Sequence, residues 1–322
     1  MAANPLRVVL RGLLGLAAVV VLLAGAWFAW HLVPRDDYFA KRHGEIATVQ
    51  AGPLREHPGG FVSRALTLVA DNGLTVHARL LRPARVDAPL PGLVLIGGHR
   101  TGRDAVDVIG NPGAMAVIAL DYPYEGDGDF DSLESFLWNA GALQRGLLDT
   151  PPALMLGLDW LLEQPWIDPG RVELAGVSLG APFATVAGAV DPRFRRVWVI
   201  HGGADLRRWI QANLRKLVPR PALRPAAAWL LYAVAYGPSF RPEAWVPRIS
   251  PRPVVIIGAV EDERLAPEQV QALYDATLQP KSLIWTGGPH VDTGRPEVVG
   301  ALLDIVRPAV LGEVEPGGPA PP

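Results

Sequence analysis

Six short stretches of this chain are apolar with little or no alternation: Leu93–Ile96, Met115–Leu120, Val172–Ala175, Val197–Ile200, Val254–Ile257 and Ser282–Trp285. A strand with one face in water alternates apolar and polar residues, whereas a continuously apolar strand is covered on both faces. Helical patterns separate most of these runs, as in a parallel sheet layered between helices. Upstream, Val62–Ala70 and Leu74–Leu81 alternate around Asp71-Asn72-Gly73, a hairpin signal. The pattern predicts an α/β domain whose mixed sheet begins antiparallel and continues parallel. One helix is expected to start with Thr150 as N-cap and Pro151 at its first position, with Leu154, Leu158, Leu161 and Leu162 along one face. Another is expected from Arg295-Pro296, burying Val299, Leu302, Leu303 and Val306.

Composition removes several classes of function. A hydrophobic share of 49% fills a large core despite 34 Gly and 32 Pro, and the absence of Cys rules out disulfides and thiolate metal sites. Thirty basic against 32 acidic residues, with no long run of either sign, leaves no electrostatic footprint for nucleic acid. From Gly12 to Trp30 no residue carries a formal charge, and Arg7 and Arg11 precede the segment. Residues 1–33 are therefore expected to be a transmembrane signal anchor in contact with the membrane through residues 12–30, the rest of the chain lying outside the cytoplasm. The other reading is a secretory signal cleaved near Ala24-Gly25-Ala26, which would leave a secreted protein.

The expected organisation continues with a linker over 34–61, the α/β domain over 62–311 and a disordered Pro/Gly-rich tail over 312–322. Between Gly202 and Pro251 the chain is too long for a single crossover. Two helices, Ala204–Val218 and Ala226–Tyr236, are expected there. With Trp209, Trp229, Tyr232, Tyr236 and Trp245, they are read as a helical cap (about 203–250) over a substrate pocket, inserted between the sixth and seventh core strands.

The run Gly176-Val177-Ser178-Leu179-Gly180 follows one apolar run and precedes a helical pattern. A serine raised on a sharp strand-to-helix turn needs small neighbours two positions either side, because larger ones collide with the adjacent strand and helix. With only seven serines, roughly 0.08 such patterns arise by chance. A neutral hydroxyl is a weak nucleophile and needs a base oriented by a carboxylate. Of the seven His, only His99, His201 and His290 follow parallel strands, and His290 lies in the loop after the last one. The acid is expected after the preceding strand, in Glu261-Asp262-Glu263.

These features resemble the α/β-hydrolase-fold serine hydrolases, nearest in texture to the dienelactone-hydrolase-like and acyl-esterase branches, over about residues 62–311. The resemblance implies an α/β-hydrolase fold: a mostly parallel sheet with an antiparallel N-terminal hairpin and flanking helices. It also implies a triad of Ser178, Asp262 and His290, with the acid open between Asp262, taken here, and Glu261 or Glu263. It further implies an oxyanion hole of backbone N–H groups from Leu179 and from the loop Ile96–Gly102, where His99 is the first choice and Arg100 the next. The expected activity is hydrolysis of a small-molecule carboxylic ester through an acyl-enzyme. A peptidase, a thioesterase and a non-catalytic binding protein on the same fold are the alternatives. No metal or organic cofactor is required, and no particular residue is assigned to substrate binding.

Overall fold

A computed structural model describes residues 5–98, 101–126, 133–215 and 217–316. In chain order the elements are α1 (Pro5–His31), α2 (Asp36–Arg42), β1 (Ile46–Ala51), β2 (Arg55–His57), β3 (Phe61–Ala70), β4 (Thr75–Pro83), β5 (Leu90–Ile96), α3 (Ala105–Ile109), β6 (Ala116–Leu120) and α4 (Leu133–Leu162). There follow β7 (Ile167–Val177), α5 (Ala181–Val190), β8 (Val197–Ile200), α6 (Leu206–Asn213), α7 (Arg224–Val234), α8 (Pro242–Trp245), β9 (Val254–Ala259), α9 (Pro267–Ala276), β10 (Lys281–Thr286) and α10 (Pro296–Leu311). All ten strands form one sheet, ordered β1-β3-β4-β6-β5-β7-β8-β9-β10, with β2 pairing β3 beside β1. The β3–β4 and β4–β6 pairs are antiparallel, and every pair from β6 to β10 is parallel.

The reason for continuous apolarity is visible strand by strand. In β5, Val94 and Ile96 pack against α4 and α5, among Leu154, Leu158 and Phe183. The intervening Leu93 and Leu95 pack on the other face, among Val106, Ile109, Leu302 and Val306 of α3 and α10. Each residue of the strand thus meets a helix layer, and all seven are buried.

Four sequence expectations change. The stretch read as linker carries α2, β1 and β2. Strand β1 exposes nearly every side chain at the sheet edge, so burial leaves no alternation to read. Thr150 is not an N-cap: α4 runs straight through Pro151 and Pro152, and the Thr150 hydroxyl donates to the Gly146 carbonyl at 2.7 Å. Two prolines cost two backbone bonds, but buried Leu154, Leu158 and Leu161 hold the helix to the sheet. In α10 the fully buried stripe is Val298, Leu302 and Val306, while Val299 and Leu303 are half-buried. Lastly, the first helix between β8 and β9 ends at Asn213; α7, α8 and short 3₁₀ turns make up the rest of that 50-residue segment.

Of the tail expected over 312–322, residues 312–316 are placed by contacts, with Ser282 Oγ donating to the Pro316 carbonyl at 2.9 Å and Glu315 3.3 Å from Arg196, and 317–322 lie outside the described residues.

Strand β7 is tied to its neighbour by a buried charge. Glu173 accepts from Trp198 Nε1 at 2.7 Å and lies 3.3 Å from Arg196 Nη1, with both charged side chains almost wholly buried. Burial pushes the Glu173 carboxyl up from its ordinary value, against the pull of Arg196. Removing only the cation strands the carboxylate. Arg196→Met should therefore cost about 3–5 kcal/mol in denaturant unfolding, and adding Glu173→Gln should recover most of it.

Candidate active site

Strand β7 ends at Val177, and the chain turns at Ser178 into a 3₁₀ turn and then α5. Ser178 has φ +54°, a left-handed conformation that non-glycine residues rarely adopt and that costs of order 1–3 kcal/mol. The flanking glycines make it sterically feasible. A Cβ on Gly176 would lie 2.5 Å from Ala184 Cβ and 2.6 Å from the Gly180 carbonyl oxygen; one on Gly180 would strike the Ile96 carbonyl oxygen of β5. Helix and strands approach so closely that only hydrogen fits at either place.

The Ser178 hydroxyl lies 2.7 Å from His290 Nε2, and His290 Nδ1 lies 2.7 Å from Asp262 Oδ2. His290 comes from the loop after β10 and Asp262 from the loop after β9, so parallel pairing brings all three groups to the carboxyl ends of the strands. Both His290 and the Asp262 carboxylate are buried. The second oxygen of Asp262 accepts the backbone N–H groups of Arg264 and Leu265, each at 2.8 Å, which turns the first toward the imidazole.

The neighbouring acids have other places. Glu261 is exposed. Glu263 accepts the His290 backbone N–H at 2.9 Å and pairs with Arg295 at 2.8 Å, while Arg295 also donates to the His290 carbonyl. Partial burial opposes ionisation of Glu263, but the His290 N–H and Arg295 together draw its carboxyl down to about 2. Glu263 thus clamps the backbone of His290, and Asp262 holds the ring.

His201, noted in the sequence for its place after β8 but given no role there, lies against this assembly. It is buried, sits at φ +49°, and its Nδ1 accepts the Val291 N–H at 2.9 Å, which places the proton of its neutral form on Nε2. Burial, then the nearby His290, pushes its pKa down to about 4. Donor atoms of His201, Asp262 and His290 fall within 4.8 Å of one another, a spacing that suits a metal ion. A cation there would compete with the Val291 N–H for His201 and with the Asp262–His290 bond, so this donor set fits a metal poorly.

Leu179 follows Ser178 in the 3₁₀ turn. His99 and Arg100 lie outside the described residues, but the loop on either side of them is placed. Gly98 faces Ser178, where an added Cβ would be 3.7 Å from Ser178 Cβ, and its carbonyl accepts the Thr101 hydroxyl at 3.0 Å. Tyr122 donates to the Gly97 carbonyl at 2.8 Å and stands edge-on to Phe183 of α5. Its burial pushes its ionisation far above the ordinary phenol range, so it remains a donor at any ordinary pH. Tyr122 was legible only as part of a strand-end loop. Asp121 of the same loop accepts the Arg103 N–H at 2.8 Å.

Beside Ser178 opens a cavity of about 620 Å³, lined chiefly by Leu93, Leu95, Ile109, Leu302, Leu303 and Val306, with Trp209 and Asn213 also on its wall. It runs between the sheet and α10. Of the six aromatics of the β8–β9 segment, only Trp209 lines it; Trp245 is buried on the opposite face with Phe39.

No protein-family model matches the chain, and no curated protein matches it. Solved structures do share its architecture. Acetyl xylan esterase 1 from Thermoanaerobacterium sp. JW/SL YS485 is 16% identical, covers 86% of this chain and 94% of its own, and superposes with a TM-score of 0.61. An acetyl xylan esterase from Paenibacillus sp. R4 is 17% identical over 84% of this chain and 93% of its own, with a TM-score of 0.58. An alpha/beta hydrolase from Penicillium sp. sh18 is 16% identical over 78% and 98%, with a TM-score of 0.54.

The two shifted groups give a pH dependence of definite sign. His201 is harder to protonate folded than unfolded, so stability is full above about pH 6.5 and falls as pH drops toward about 4. Glu263 adds a second loss from about pH 4.5 down to about 2. In His201→Asn, which retains an acceptor, unfolding midpoints measured against pH should lose the first decline and keep the second.

Proposed function

This chain has the α/β-hydrolase fold, and we propose that it is a serine hydrolase that cleaves carboxylic esters through an acyl-enzyme. The observation that carries the reading is the unbroken chain of short hydrogen bonds Ser178–His290–Asp262, with the serine on a strained turn. His290 Nε2 takes the Ser178 proton as Oγ attacks the ester carbonyl carbon. The oxyanion that forms is stabilised by the N–H groups of Leu179 and His99, each such donor being worth about 3–4 kcal/mol. The imidazolium, oriented and stabilised by Asp262, returns the proton to the leaving alcohol. Water then attacks the acyl-serine with His290 again as base, releasing the acid and restoring Ser178.

An apolar acyl group fits the 620 Å³ cavity beside the nucleophile, whose wall is mainly Leu, Ile and Val. The pocket for it lies between sheet and α10, while Gly202, Gly203, Leu206, Trp209 and Pro242 of the segment after β8 line a second, smaller cavity against Ser178. Helix α1 supports an uncleaved anchor. Its candidate span Val9–His31 covers 23 residues and contains an 18-residue window of mean hydropathy 2.3, longer than the 7–15 of a signal-peptide core. With Arg7 and Arg11 on the cytoplasmic side, the site lies outside the cytoplasm.

A fluorophosphonate probe should label the wild-type chain and fail on Ser178→Ala; labelling that survives the substitution would sink the nucleophile. His290→Ala should lower kcat/KM on p-nitrophenyl esters by about 10³-fold or more, and Asp262→Asn should lose far more than Glu261→Gln. On acyl chains of increasing length, kcat/KM should climb by up to about fourfold per methylene until the cavity is full. Leu303→Trp should flatten that climb, and a profile that already declines after acetyl would exclude the cavity as the acyl site.

A further inference from the structure

Helix α1 does not end in free chain. The His31 ring stacks on Tyr236 at 4.8 Å, the Arg35 guanidinium lies over the same tyrosine at 4.5 Å, and the Arg35 N–H donates to Ser239 Oγ at 2.9 Å. Arg35 lies only four positions beyond His31, a reach of at most ~14 Å. If Val9–His31 spans a bilayer, the end of α7 is held at the membrane boundary.

The surface brought there has an unusual composition. Residues 206–230 contain six cations, Arg207, Arg208, Arg215, Lys216, Arg220 and Arg224, and no acid, in a chain of net charge −2. Among them Leu217, Leu223, Trp229 and Leu230 are exposed, Leu217 at 78%. Arg207 lies over the Trp229 ring at 5.1 Å, and Arg224 is spent on the Val218 and Pro219 carbonyls; Arg208, Arg215 and Arg220 are exposed. Leucine and tryptophan interspersed with arginine suit the level of lipid headgroups, where apolar side chains enter the acyl boundary and cations meet phosphates.

We propose that the exposed face formed by Arg215 and residues 217–230 docks on the anionic headgroups of the bilayer that α1 spans. Charge complementarity and continuity with the spanning helix both select a lipid surface as the occupant. The inference rests on reading α1 as an uncleaved anchor and on the hydrolase reading for its use. Helix α6, packed beside α7, carries Trp209 and Asn213 on the wall of the Ser178 cavity. Docking therefore sets the cavity within one helix of the lipid surface, and the substrate class it favours is an amphiphilic ester drawn from the membrane.

The chain has no cysteine, so a nitroxide can be placed at one chosen point in the full-length protein. Leu223→Cys would be labelled on the docking face. Glu163→Cys, at the far end of α4, is the reference, roughly 28 Å along that helix from Gln144, which bonds the Val234 carbonyl of α7. In vesicles of phosphatidylcholine mixed with phosphatidylglycerol, the Leu223 label should be shielded from a water-soluble nickel chelate and open to oxygen, while the Glu163 label shows the reverse. The docked fraction should fall at least about fivefold in R215E/R220E. Equal nickel access at both labels overturns the proposal, and so does shielding as strong in phosphatidylcholine alone. A chain released from vesicles by alkaline carbonate would fail the anchor, and the docking with it. Fluorophosphonate labelling of Ser178 would survive any of these failures, which keeps the hydrolase reading separate.

Discussion

The left-handed backbone at Ser178 is the constraint on which the rest of the site depends. Holding φ at +54° on a side-chain-bearing residue is unfavourable by itself, and the turn persists because the elements around it leave no alternative. Strand β7 is fixed by pairing on both sides, and α5 is pressed so close that Gly176 and Gly180 touch helix and strand backbone directly. The strain is held by a buried parallel sheet whose every central residue packs against a helix. A hydroxyl presented this way needs no rearrangement to meet the imidazole.

Around that point most polar groups are partnered, the buried Nε2 of His201 being an exception. Asp262 spends one oxygen on two backbone N–H groups and the other on His290. Glu263 and Arg295 hold the backbone of His290 from outside, and His201 holds the next residue from within. Glu263 and Arg295 do so at the solvent-exposed rim, whereas His201 does so from a buried position. Because His201 is held neutral, no second buried cation stands beside His290.

The cavity shows how a fold shared with solved α/β-hydrolase structures is made particular. Helix α10 packs on the sheet through Val298, Leu302 and Val306, and its half-buried Val299 and Leu303 border open space that reaches Ser178. On the other side, the segment after β8 carries few cavity residues and many outward-facing ones. Its aromatics divide among the core, the end of α1 and the solvent. The same segment thus forms a rim to the site and the attachment of the N-terminal helix.

Much of this was legible in the residues. Five of the six apolar runs marked strands covered on both faces, because burial on two sides removes the polar alternation that a half-exposed strand keeps; the sixth lies in edge strand β10, which is only half-buried and exposes Trp285. The spacing of Gly176 and Gly180 marked Ser178, since close approach leaves room only for hydrogen there. His290 stood out by its place after the last strand. Hidden were the exposed edge strands β1 and β2, which bury too little to pattern the sequence, and the passage of α4 through two prolines, which tertiary packing overrides. The sequence narrowed the acid to three consecutive residues; only the turn at Arg264 and Leu265, by satisfying one oxygen of Asp262, decided which carboxylate meets the ring. The position of the cavity, the place of His201 and the seating of α1 on α7 likewise belong to the tertiary structure. They arise from contacts between segments far apart in the chain, and local residue patterns record burial and turn geometry but not which distant surface supplies the partner.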